Sequence, residues 1–146
     1  MMKPVRLLIV FLMLGLAFGC SRNEPFEISD AWVRATAPGQ EAAAAYMTLS
    51  SDEDLTLSRV ESPAGTVEIH EMSMEGDVMR MRMLDALPLK AGETVQLEPG
   101  GYHLMLFGLQ QPLEPGAVIP FTLHLQDAEG KTFTRVVDAP VRRADD

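Results

Sequence analysis

Cysteine is nearly absent: Cys20 is the only one in 146 residues. A single cysteine excludes an intramolecular disulfide and a Cys-x-x-Cys redox or zinc motif. Its position, close to the start, leaves no thiolate for a blue-copper centre or a nucleophile farther along the chain. Positive charge is scarce as well, with 12 Lys and Arg against 21 Asp and Glu. That balance argues against nucleic acid and anionic membrane surfaces as partners. The chain also lacks a glycine-rich phosphate loop and a hydrolase-type serine motif. A hydrolytic zinc site wants three His or carboxylate ligands at recognisable spacing, and only two of the three histidines are suitably placed. These gaps point away from an enzyme.

Long apolar runs are missing too. The longest, "LLIVFLMLGLAF", has twelve residues, too few to span a bilayer as a helix. Preceded by the positive "MMKPVR" and followed by "GC", it reads as an export signal over 1–20. The cysteine directly after Gly19 looks like a lipobox residue, so Cys20 is the candidate lipidated N-terminus of an exported, periplasmic, membrane-anchored protein. Loss of residues 1–20 removes Lys3 and Arg6 and takes the net charge from −9 to −11. Residues 21–26 then form a linker, and 27–146 one domain, which is the size of a single core.

What the domain does have is short runs of Val, Leu, Ile, Phe and Thr broken by Gly, Pro, Asp and Ser. The pattern predicts nine strands, at 27–36, 43–50, 55–62, 66–74, 78–84, 94–98, 103–109, 117–126 and 132–141. Their spacing leaves little room for helices and favours an all-β sandwich or barrel. The alanine-rich 42–46 has helix-forming composition but runs into "YMTLS", so it is read as strand. Pro99, Gly100 and Gly101 mark a tight turn into 103–109.

Alternation in these strands gathers histidine and methionine. His103, Met105 and Phe107 share one face; Glu68, His70, Met72 and Met74 share another; Met79, Met81 and Met83 line a third, opposite Arg80 and Arg82. Three of the ten methionines fall in the signal, and five of the remaining seven lie between 72 and 83. Core methionine is ordinarily scattered among Leu, Ile and Val, so this clustering asks for another reason. Thioether sulfur is a soft neutral ligand suited to Cu(I), and imidazole accepts either copper oxidation state. A mixed site therefore selects Cu(I), can also hold Cu(II) through nitrogen, and needs no oxidisable thiolate.

The chain resembles the PCuAC family of periplasmic copper chaperones. Their motif is His, ten residues, Met, twenty-one residues, then His-x-Met, and His70, Met81, His103 and Met105 reproduce it without a gap. The segments "AWVRATAPG", "AAAYMTL", "VEIHEM", "PGGYHLMLFGL" and "QPLEPG" also follow family order. "SSDEDL" after Leu49 departs from the pattern, and "APVRRADD" lacks the His- and Met-rich tail that some relatives carry.

The resemblance implies a cupredoxin-like Greek-key β-barrel of about 8–9 short strands binding one copper ion through those four residues. It also implies delivery of copper to an accepting protein, such as the CuA subunit of cytochrome c oxidase or another copper chaperone. Met72, Met79 and Met83 are candidate accessory soft ligands; with Met74 they either form a rim that passes the ion inward or cover the core. Glu71, as a strand residue, should face away from His70, and His124 should point to solvent. Two other readings remain beside this one. One is an exported structural or adhesion-type β-sandwich lipoprotein whose methionines merely pack. The other is a zinc or mixed-metal module using His70, His103 and a carboxylate.

Overall fold

The computed structural model describes residues 24–146, so the export signal and Cys20 lie outside the described residues. Ten strands run in chain order: β1 (Phe26–Arg34), β2 (Ala42–Ser51), β3 (Leu55–Glu61), β4 (Thr66–Glu75), β5 (Val78–Leu84), β6 (Leu87–Leu89), β7 (Thr94–Leu97), β8 (Tyr102–Phe107), β9 (Val118–Asp127) and β10 (Thr132–Arg142). They form a barrel-like sheet in the order β5-β4-β8-β7-β2-β1-β10-β9-β3-β6. The all-β expectation holds, with one strand more than the nine predicted. The extra strand, β6, is the tripeptide Leu-Pro-Leu. A proline within a run argues against a strand except at a sheet edge, and β6 is an edge, pairing only with β3. At the other end, β1 begins at Phe26, which is buried in the core. The domain therefore starts one residue before the expected boundary, and Phe26 is not linker.

Period-two burial builds the interior. Ile119, Phe121, Leu123 and Leu125 of β9 alternate with half-exposed neighbours, and Ala43, Ala45, Met47 and Leu49 of β2 pack with Leu104 and Leu106 of β8. Two bulges reset the alternation. In β3 the register shifts between Leu57 and Arg59, which lets Leu57 and Val60, three apart, both face the core. In β1 it shifts between Ser29 and Trp32, where Asp30 has a φ of 52°. Phe26 and Ala31 therefore both point inward, and Trp32 turns to the outer face, packed against Tyr46 with ring centroids 4.7 Å apart and the rings tilted by 39°.

The alanines of β2 are strand, as read: packing against two neighbours overrides helix propensity. Ala43 and Ala45 fill the core side. Ala42 and Ala44 lie opposite Phe107 and Met105 of β8, where their small side chains leave the outer face of that strand uncrowded. Gly65, just before β4, is required by close approach: a Cβ there would overlap the Phe107 carbonyl oxygen.

Candidate metal site

β4, β5 and β8 lie side by side at one end of the sheet order. Pairing sets His70 directly opposite His103, Glu68 opposite Met105, His70 opposite Met83, and Met72 opposite Met81. The outward face of these strands thus carries the two imidazoles in one row. Met105 stands one step above that row and Met81 one step below it. The structure brings His70 and His103 together, with ring centroids 5.7 Å apart. Met105 is two residues along the same strand from His103, and Met81 is the diagonal neighbour of His70. Met83, not Met81, is the direct cross-strand partner of His70.

Both histidines are buried although they face away from the core, at 8% and 4% exposure. Phe107 covers part of His70, with ring centroids 6.0 Å apart. The hydrogen bonds fix which nitrogen of each ring is left over. The Nδ1–H of His103 donates to the Gly101 carbonyl at 3.1 Å, so its Nε2 carries a lone pair. The Nε2–H of His70 donates to the Glu68 carboxylate at 2.7 Å, which leaves Nδ1 as the ring nitrogen not engaged there. That Nδ1 is buried and has no hydrogen-bond partner. Burial above all holds the His103 imidazole below the usual histidine range; the bond to Gly101 opposes the shift and the neighbouring His70 adds to it. A metal takes an imidazole through whichever ring nitrogen the hydrogen bonds leave unengaged.

The Pro-Gly-Gly turn positions this arrangement. Gly101 N–H donates to Glu98 O at 3.1 Å, and Gly100 has a φ of 89°, the geometry of a type II turn with Pro at its second position and Gly at its third. The Gly101 carbonyl then holds His103 and also accepts the Met72 backbone N–H at 3.0 Å. One peptide group thereby orients a ring on β8 and pins β4 beside it.

Glu68 is the site residue that sequence reasoning did not single out. Its position two before His70, on the same strand face, was the available signal. Glu71 does face away, and its carboxylate accepts from Arg82 at 2.6 Å. His124 likewise lies on the outer face of β9, hydrogen-bonded to Glu61 at 2.6 Å. Met74, Met79 and Met83 are 60, 52 and 55% exposed, so they do not cover the core. Among the described residues no three of His, Cys, Asp and Glu are grouped to hold a metal; the carboxylate beside the histidine pair, Glu68, is engaged with His70 Nε2.

The barrel has the cupredoxin-like fold of PCuAC domains. The model of the family described as "Putative lipoprotein LpqE-like" matches residues 26–141, and the chain belongs to that family. A curated relative, "Putative lipoprotein Lxx21020" of Leifsonia xyli subsp. xyli, is 31% identical over 97% of this chain and 93% of its own. Among solved structures, the copper-bound PCuAC domain from PmoF2 superimposes with a TM-score of 0.64 at 25% identity, covering 82% of this chain and 94% of that one. The copper(I) form of DR1885 from Deinococcus radiodurans gives 0.53 at 28% identity, covering 80% and 79%.

Proposed function

We propose that this protein is a copper chaperone that binds one Cu(I) through His70, Met81, His103 and Met105 and passes it on by ligand exchange. The observation that carries the reading is the orphaned Nδ1 of His70, buried beside a second imidazole whose own Nε2 is unengaged. A buried polar atom without a partner costs stability, and a bound cation would supply the missing partner. Thioethers within one strand step on either side make Cu(I) the cation that this donor set selects. The half-exposed Met81 is free to swing toward the histidine row and away again, which suits release as well as capture. The copper-bound and copper(I) neighbours support the same reading.

The physiological setting follows the same line. Export by the 1–20 signal and lipidation of Cys20 would hold the domain at a membrane, in the periplasm, on the tether 21–25. The recipient would be a copper-accepting protein, such as the CuA subunit of cytochrome c oxidase or a second chaperone.

The test is Cu(I) titration of the chain against a competing chelator in a Cys20→Ser background, because the Cys20 thiol is itself a Cu(I) ligand. One tightly held equivalent is expected, lost in His103→Ala and weakened at least ~10-fold in Met105→Leu, a change that conserves volume. Met81→Leu should weaken binding more than Met83→Leu. The reverse order would assign the fourth ligand to the direct neighbour of His70, and full affinity in all variants would overturn the His/Met site.

A further inference from the structure

The β4–β5 hairpin extends beyond the histidine row, and its far end is built unlike an ordinary sheet edge. Met74 lies opposite Met79, and Met72 opposite Met81, in consecutive pairs on one face. Cross-strand partners have Cβ atoms roughly 4.5–5.5 Å apart and diagonal neighbours roughly 7–8 Å, so thioethers on such flexible side chains can converge on one point. Met74 and Met79 are 60 and 52% exposed; they bury little and pack on little. Edges are normally protected by charge, and this hairpin does carry charge, but on its other face. There Arg80 pairs with Glu75 at 2.7 Å and Arg82 with Glu71 at 2.6 Å. The cations are thus held away from the sulfur face and neutralised. The turn that closes the tip, Glu75 to Val78, has Gly76 at a φ of 64°, as a two-residue type II′ hairpin requires.

We propose that Met72, Met74 and Met79 form a second, all-thioether site for a soft monovalent cation, Cu(I) or Ag(I), at the tip of this hairpin. Three neutral sulfurs suit such an ion and discriminate against Zn, Mg and Ca. The site stands on the hairpin alone. Its use as an entry port, one strand step from Met81 and two from the histidines, rests on the copper reading above.

Ag(I) serves as a redox-inert, diamagnetic probe, followed by NMR of 13C-labelled methionine methyls in the full chain carrying Cys20→Ser. In a His70→Ala/His103→Ala background, one equivalent should shift the Met72, Met74 and Met79 methyls and leave the buried Met47 unmoved. Met74→Leu/Met79→Leu, two exposed changes, should abolish that response while the parent histidine site still takes its equivalent at pH 7. Unmoved tip methyls in the His-deleted chain would overturn the proposal and leave the copper reading intact. Tip shifts without any histidine ring response in the parent would sink the copper reading and leave the tip site standing.

Discussion

At His103, burial and protonation are in opposition. The ring is held in the neutral form below the ordinary imidazole value, about 6.5, chiefly because charging it would mean desolvating a cation. In the metal-free protein this makes stability pH-dependent. Above about 6.5 neither state binds the proton and the contribution is complete. As pH falls from there toward the lower folded value, the unfolded chain protonates first and stability is lost, by at most about 1.4 kcal/mol per pH unit. Urea unfolding of apo-protein between pH 7.5 and 5 should show this slope, and His103→Gln should flatten it. A slope unchanged by that substitution would mean another group is titrating.

The residue-level assignments divide by what sequence can encode. The resemblance to the PCuAC motif put His70 and His103 in one site, and alternation showed which side chains share a face with each; that the two stand directly opposite is a matter of strand pairing. Glu68 was placed on the correct face but given no role, because a two-residue step along a strand says who shares a face and not which carboxylate will reach a ring. The offset of Met81 from the histidine row is a matter of hairpin register, set by where the Gly76–Asp77 turn falls.

At the scale of elements, the site depends on β4 and β8 keeping their pairing. Gly65 touches that pairing at its end, where Thr66 lies opposite Phe107. Gly65→Ala should cost about 1–3 kcal/mol by overpacking against the Phe107 carbonyl, measured as a lower denaturation midpoint with weaker Cu(I) retention. The β1 bulge is a second lever, remote from the metal face. Asp tolerates the left-handed conformation of Asp30 and a β-branched residue does not. Asp30→Val should therefore destabilise by roughly 1–3 kcal/mol, while Asp30→Gly stays within about 0.5 kcal/mol; equal effects of the two would show that the backbone conformation is not the cause. Nine of the strands were visible as apolar runs between turn residues. β6 was not, because three residues containing a proline carry no periodicity, and its pairing with β3 is a tertiary event. The bulges were equally hidden, since each looks in sequence like a lapse of alternation.

For the whole molecule, an ion that binds only the folded barrel stabilises it by mass action. At a free Cu(I) concentration one hundred times its dissociation constant, the gain is about 2.7 kcal/mol. Thermal unfolding should show this as a raised midpoint in the parent and a smaller rise in His70→Ala/His103→Ala, where only the hairpin tip is left to bind the ion. An undiminished rise in the double variant would make the hairpin tip the stronger site.

The pairing of β1 with β10 has a consequence for how the chain folds. These strands run parallel, Val33 beside Val141, and come from opposite ends of the described chain, so their contact closes the largest loop in the domain. The β4–β5 hairpin needs only a two-residue turn. Such hairpins form in roughly microseconds, whereas domains dominated by non-local strand pairs fold in roughly milliseconds to seconds. The methionine hairpin is thus among the first pieces able to assemble, and the seam between the two ends among the last.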